Sequence, residues 1–519
     1  MRRTIVVAIG VLLSGSIVGN AQQSGQIAPT FRAGTALVDF NIVAVDTKGN
    51  PVTDLRRDEI ALFDDDQVRE IAFFQFEGAA SSLASPGNTP VALPAGTFTN
   101  RIEYTARPPK NLIAIVVDLI NTSIGQQVEL QNQLLQNLKQ VPADAHVGLY
   151  VISEHAVALH DFTQDAESLK ARLEKNTPTV QTTLASSARV VQQLLSTGAP
   201  HHAESLRALA EADARIQGDL DQQFMKTRRR LTLQALESVG HHLAGTPGRK
   251  SLVWVSYGFP LTDFYGTYTD QVSSASQELA TQNVAVYPVD AQGLPPYRNA
   301  PREQGRIEGT SELIASITGG RATRNNNDLV KAVNAAAEDV RGTYSLGFYA
   351  ANSADNRWHR LSVKVTRPGV SVRHRQGYLA STSVNEGSDW PHERWNELAY
   401  RPLTSTAVRV DVRPTKDATR LNLSVDVVVD DLQFRPADGG TAADVEIALV
   451  EKTTKGPTNV RVQSAGIQIP AGAAAPAVVP FSATFSLNAQ TTSVRVIVRD
   501  RASGKFGSLD LPLDKLPKP

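Results

Sequence analysis

The run Leu112-Ile-Ala-Ile-Val-Val-Asp118 is apolar up to its last residue, and Asn121-Thr122-Ser123 and a helical pattern from Gln126 to Gln140 follow it. An apolar stretch bounded in this way reads as a strand buried on both faces, the kind found in the middle of a parallel sheet covered by helices. In such sheets ligands gather beyond the carboxyl ends of the strands, so Asp118 to Ser123 mark the first place to look for a site.

Three more buried runs follow: Val147 to Ser153, Ser251 to Ser256 and Val284 to Asp290. A short strand from Ala156 to Leu159 and a helix capped by Thr163 or Asp165 follow the first of them, and a last helix spans about Asp328 to Arg341. Strands alternating with helices over residues 108–350 predict an α/β fold with a doubly wound, mostly parallel sheet. At 519 residues the chain exceeds one core, and about 150 residues per domain suggests three.

The flanks read differently. Leu37 to Val45, Glu59 to Phe63 and Ile71 to Phe76 alternate with turns at Asp46–Asn50 and Asp64–Asp66, which predicts an N-terminal β module over 35–77. The acidic cluster Asp64 to Asp66 lacks the spaced oxygen series and closing glutamate of a calcium loop, so it reads as a solvated hairpin tip. Residues 78–107 and 381–405, rich in small and polar residues or in turn formers, read as linkers, and 351–380 as a β extension. Seven short strands over 406–519 predict a C-terminal β-sandwich.

Arg2 and Arg3 precede an apolar run from Ile5 to Val18, and Gly19-Asn20-Ala21 offers a small-residue cleavage site. Roughly 14 apolar residues are too few for a spanning helix, which needs about 20. Residues 1–21 therefore read as a secretory signal peptide, followed by a leader over 22–34, and place the protein in the periplasm or outside the cell. There are no cysteines, hence no disulfides, no thiolate zinc site and no lipoprotein anchor. Lysine plus arginine equals aspartate plus glutamate, 52 each, which leaves no net field to draw in nucleic acid.

A helical segment from Leu184 to Leu243 separates the second and third buried strands, with an interruption near Thr197 to Pro200. Its part from Ala203 to Leu243 is long enough for one helix of about 60 Å. Its basic run Lys226 to Arg230 reads as a solvated helix face. The histidine groupings, His155 with His160, His201-His202 and His241-His242, have no chelating spacing and read as exposed or capping residues. There is no Gly-x-Ser-x-Gly elbow and no phosphate loop, so the chain reads as a non-enzyme.

The central segment resembles a von Willebrand factor type A domain, and in particular the acidobacterial type of VWFA-related domain. The residues that carry the likeness are Val45 to Leu55 with Glu59 to Asp66, Val116 to Ser123, Gly248 to Pro260 and Val286 to Asp290. Thr318 to Arg321, Asn326 to Leu329, Tyr344 to Tyr349 and Arg373 to Tyr378 complete it. The resemblance implies a cation-dependent adhesion site at the top of the sheet, holding Mg²⁺ or another divalent cation on an Asp-x-Ser-x-Ser turn, a threonine and a second aspartate.

This chain departs from that pattern. Asp118 is present, but Ile120 and Thr122 occupy the two hydroxyl positions, and Tyr257 stands where the second aspartate belongs. A shifted loop would offer Asn121 and Ser123 beside Asp118 as the metal ligands. Thr122, Tyr257 and Asp263 would then face a partner, with Asp263 able to move inward. The alternative for Asp118 is to cap the following helix. The reading is thus an exported protein that binds or scaffolds a protein partner of the envelope through a degenerate adhesion site. The competing readings are an envelope hydrolase with a dispersed active site and a purely structural envelope protein.

Overall fold

The computed structural model describes residues 37–78, 93–104, 112–122, 124–138, 145–153, 155–175, 203–257, 269–291, 301–323, 329–350, 357–380, 390–417 and 420–516; the side chains of 103, 124, 125, 175, 203–222, 301–308 and 379 are outside the description. The signal peptide and leader read over 1–34 lie outside the described residues, as do Ser123 and Asp263.

The chain begins with β1 (Leu37–Val45), β2 (Ile60–Asp64), β3 (Gln67–Arg69), β4 (Ile71–Phe76) and β5 (Phe98–Thr99). The α/β part follows with β6 (Leu112–Asp118), α1 (Ile124–Asn137), β7 (His146–Ile152), β8 (Ala156–Thr163), α2 (Ala166–Lys175), α3 (Ala203–Leu243), β9 (Lys250–Ser256), α4 (Thr269–Thr281), β10 (Val284–Asp290), α5 (Pro301–Thr318) and α6 (Leu329–Arg341). Then come β11 (Thr343–Tyr349), β12 (Arg357–Val365), β13 (Ser371–His374), β14 (Gly377–Ala380) and α7 (His392–Tyr400). The last strands are β15 (Val410–Asp417), β16 (Arg420–Val428), β17 (Arg435–Ala437), β18 (Gly440–Thr453), β19 (Gly456–Pro470), β20 (Val478–Ser486), β21 (Ser493–Asp500) and β22 (Phe506–Pro512).

The central sheet has the order β10-β9-β6-β7-β8. Its first four strands are parallel, and β8 closes one edge antiparallel. Every residue of β6 and β9 is buried, because helices cover both faces. Leu130 and Leu134 of α1, Leu169 and Leu173 of α2 and Val333 of α6 pack on one face. Leu236 and Val239 of α3, Val272 and Leu279 of α4 and Ile314 of α5 pack on the other. The chain leaves β6 toward β7 on one side and toward β9 on the other, which makes the gap between β6 and β9 the switch point of the sheet. Asp165 starts α2 as its cap, its Oδ1 accepting the Glu167 and Ser168 amides.

The strands read as a separate N-terminal module share their sheets with β11, read as the end of the 108–350 domain, and with β12 to β14, read as an extension. One sheet runs β13-β1-β11-β4 and a second β14-β12-β2-β3. They enclose one core that includes Phe40, Ile42, Leu62, Tyr344, Phe348 and Leu361. The reason is that β1 to β4 alone offer too little surface to bury, and the half-apolar strands beyond Gly342 supply the missing neighbours. The tip between β2 and β3 is a two-residue turn in which Asp65 (φ 46°) and Asp66 (φ 66°) are both left-handed, as a tight hairpin turn of this twist requires.

The stretches read as linkers also carry packed structure. β5 joins β15, and the buried Asn100 side chain donates to the Ser405 and Val408 carbonyls and accepts the Val410 amide. In α7, Trp395, Leu398 and Ala399 recur at helical spacing and bury against Ala448, Val450 and Ile497. The C-terminal strands form two sheets, β20-β16-β15-β5 and β17-β18-β21-β22 with β19 on β18, around a shared apolar core.

Helix α3 spans Ala203–Leu243 without a break. Its basic run is only in part a solvated face: Lys226 and Arg230 are exposed, but Arg229 is buried. Its terminal histidines are not exposed either, because the helix ends against the loop that leads into β15. Thr406 N–H donates to the His241 carbonyl, the Thr406 hydroxyl to that of His242, and the Gly245 amide to the Thr406 hydroxyl. His241 Nδ1 accepts the Gln282 side-chain amide at 2.9 Å. Burial, with Arg401 and Arg394 adding to it, depresses His241 to about 3.

An ordinary histidine in the unfolded chain titrates near 6.5, so the unfolded state takes up the proton first. The stability that His241 contributes is complete above about pH 6.5 and is lost as pH falls toward 3. Burial raises Glu278 and Glu237 and works in the opposite sense on acidification, so the effect has to be read as a difference. Between about pH 6.5 and 5 the wild type is expected to lose roughly 2 kcal/mol relative to His241→Gln, at about 1.4 kcal/mol per pH unit. Urea unfolding of both proteins across that range checks it, and parallel curves would show that His241 carries a proton in the fold.

Candidate functional site at the sheet rim

The parity of the strands decides what meets Asp118. Leu112, Ala114 and Val116 face the α3 side, so Asp118 faces it too. On β9 the same parity brings Leu252, Trp254 and Ser256 to that side. The register aligns Val117 with Val255, which sets Asp118 beside the end of β9.

The Asp118 carboxylate is fully buried and accepts four hydrogen bonds. Oδ1 takes the Asn121 amide at 3.1 Å. Oδ2 takes Asn121 Nδ2 at 2.7 Å, Ser256 Oγ at 3.1 Å and Trp254 Nε1 at 3.3 Å. Asn121 Nδ2 also donates to Thr232 Oγ1 of α3 at 3.0 Å, which ties the turn to the helix above it. Burial pushes the Asp118 carboxyl up, against the pull of these donors.

Thr122, read as a partner-facing residue, is buried, and its hydroxyl donates to the Asp118 carbonyl at 2.5 Å. Its carbonyl accepts Gln127 Nε2 of α1 at 3.1 Å. Ile120 is buried in the core on the α3 side. The capping role considered for Asp118 takes a different form: it accepts the Asn121 amide, three residues before α1 begins, and so closes the turn.

Asp118 and Asn121, the described members of the expected ligand set, are bound to each other and to neighbouring side chains. Both Asp118 oxygens are taken by N–H and O–H donors, and the Thr122 hydroxyl is committed to the backbone. Of the side-chain oxygens in the described part of the turn, Asn121 Oδ1 alone is buried without a partner.

No family model matches the chain, and no curated protein matches it. Among solved structures it is similar to an aerotolerance-related membrane protein from Bacteroides fragilis, with 15% identity over 44% of this chain and 97% of the other and a TM-score of 0.26. It is similar to the conserved hypothetical protein BatB from Bacteroides thetaiotaomicron, with 14% identity, 44% and 96% coverage and a TM-score of 0.24. A von Willebrand factor type A protein from Catenulispora acidiphila gives 9% identity over 92% of this chain and 73% of the other, with a TM-score of 0.23. Likenesses this distant carry no argument about what the rim binds.

The rim itself has two sides. Tyr257 has the opposite parity to Ser256 and so leaves the sheet on the α1 side, where it packs partly against the core. Burial raises its hydroxyl, Glu129 adds to the rise, and a hydrogen bond from Gln133 opposes it. Tyr257 therefore does not stand in for a carboxylate opposite Asp118. Val128 on α1, 60% exposed, and Asp290 at the end of β10 share the rim region. Ser256 and Trp254, which hold Asp118, were absent from the residues expected on sequence. The signal that identifies them is strand parity, since both lie two and four residues beyond Leu252.

Proposed function

We propose that this chain is an exported, envelope-associated protein of the VWFA type that binds or scaffolds a protein partner through the carboxyl end of its central sheet. In this reading the sheet is a doubly wound A-type domain, the C-terminal strands form a β-sandwich, and the adhesion site is degenerate. Asp118 acts as an internal brace for the rim and holds no metal. What supports the reading is the saturation of its carboxylate by four protein donors at the switch point of the sheet. A rim braced in this way is stiff, and stiff scaffolds bind with less ordering cost. Tyr257 supplies an amphipathic ring of the kind that anchors protein interfaces, beside the exposed Val128. Among the described residues no helix is long and apolar enough to cross a membrane. We read the chain as a binder rather than an enzyme.

The test is capture from an envelope extract on immobilised protein, with and without a chelator. A partner retained in chelator and released about tenfold more readily by Tyr257→Ala supports the reading. Retention that requires Mg²⁺ would overturn the metal-free rim, and retention indifferent to Tyr257→Ala and Val128→Glu would move the interface elsewhere.

A further inference from the structure

A second cluster lies far from Asp118 in the sequence, where the β2–β3 hairpin meets β12 and β14. Asp64 ends β2 and is buried, and Asp65 opens the left-handed turn. His359 on β12 faces them: its Nδ1 is 2.9 Å from Asp65 Oδ2 and 3.5 Å from Asp64 Oδ1. The ligand atoms of all three residues lie within 4.8 Å of one another.

Each carboxylate is aimed by its other contacts. Asp64 Oδ2 accepts Arg69 Nε at 3.1 Å, and Asp64 Oδ1 accepts the Tyr378 hydroxyl at 3.2 Å. Asp65 Oδ1 accepts the Arg360 amide at 2.8 Å, which turns Oδ2 toward the imidazole. The His359 ring stacks on Tyr378 with centroids 5.3 Å apart, which fixes its plane. Asp66 is engaged separately by the Arg360 guanidinium.

We propose that Asp64, Asp65 and His359 bind a divalent cation of the zinc class. Carboxylate oxygens within 4.8 Å of one another repel, which a cation between them would relieve beyond what Arg69 already offsets at Asp64. Ligands about 2.0–2.1 Å from a tetrahedral zinc stand roughly 3.3–3.5 Å apart, so a bound ion would fit the 3.5 Å His359–Asp64 separation and widen the 2.9 Å one to Asp65. An imidazole nitrogen with two carboxylates suits zinc and its neighbours, whereas calcium and magnesium require oxygen throughout. The Tyr378 hydroxyl and the Arg360 amide are the outer partners that orient ligating carboxylates. Asp65 is 52% exposed, so the fourth position opens to solvent. The cation would pin the hairpin tip to β12 and β14, which belong to the same sheet.

The test uses the full chain, freed of metal by a chelator and titrated calorimetrically with Zn²⁺. In parallel, Co²⁺ is added and the visible absorption of tetrahedral cobalt is followed. One equivalent is expected to bind, with Ca²⁺ and Mg²⁺ failing to compete. His359→Gln and Asp65→Asn are each expected to weaken binding at least about tenfold. Asp58→Asn, which alters an exposed carboxylate paired with Arg56, serves as the control and leaves binding unchanged. Asp65 and Asp58 are both exposed, so a loss confined to Asp65→Asn cannot be assigned to unfolding. Absence of binding in the wild type, or binding indifferent to both site variants, would overturn the proposal and leave a plain ion pair between His359 and the turn.

Discussion

Replacing Asp118 with alanine is expected to cost about 3–5 kcal/mol of folding stability, enough to unfold a marginal domain. The carboxylate is wholly buried, so its loss takes away the acceptor shared by the Trp254 indole, the Ser256 hydroxyl and two Asn121 donors. Each stranded donor costs on the order of 1–3 kcal/mol, less whatever water can enter. Ser256→Ala, which removes one donor and leaves the acceptor, should cost only about 1 kcal/mol. Guanidinium unfolding with an unchanged slope would measure both. A loss below about 1 kcal/mol for Asp118→Ala would mean that water reaches the carboxylate and that the rim is open.

The pH dependence of this residue has a definite sign. Its carboxyl lies above the ordinary value in the fold, so the folded state holds the proton to higher pH than the unfolded chain does. The resulting penalty is absent below about pH 3.9, grows as pH rises toward the folded value and is constant above it. Asp118→Asn removes that dependence while preserving the shape of the side chain.

The second large effect is expected at Asp339. This α6 residue has no exposed surface. It accepts both terminal nitrogens of Arg373, bonds the Arg321 guanidinium and accepts the Tyr287 hydroxyl at 2.6 Å. Arg249, bonded to Tyr287 and to the Gly319 carbonyl, stands behind them. Burial raises the carboxyl, but Arg373, Arg249 and Arg321 together bring it below its usual range. Asp339→Ala leaves the half-buried guanidinium groups of Arg321 and Arg373 beside the buried Arg249 without their shared carboxylate, and a loss of about 3 kcal/mol follows. The contribution of Asp339 is present above about pH 3.9 and disappears as pH falls through the lower folded value. A double-mutant cycle of Asp339→Ala with Arg373→Ala should return a coupling of about 2–3 kcal/mol, and additive losses would show that the pair does not act together.

Much of the central sheet was legible because its strands are apolar on both faces. The runs read as 112–118, 251–256 and 284–290 agree with the observed strands to within a residue. The last helix, read as about 328–341, is observed at Leu329–Arg341. Legibility failed where partners are distant in sequence. Nothing local in Leu37 to Val45 indicates that its neighbours are β11 and β13, and Arg373 carries no sign that it answers Asp339. At the rim the reading placed Tyr257 opposite Asp118 by counting along a motif. Strand parity puts Ser256 there, and Tyr257 on the other face. Helices α4, with three serines among thirteen residues, and α5, with two glycines and five charged residues among eighteen, are built from weaker or mixed helix formers and did not stand out from a loop.

The pairing of β1 with β11 also sets a timetable for synthesis. Leu37 meets Tyr349 about 300 residues downstream, and at about 5–20 residues per second a ribosome takes roughly 15–60 s to make that interval. Throughout it, β1 and β4 lack their shared neighbour β11, while the whole α/β domain between them can already be compacting. The first strands made are thus among the last to close.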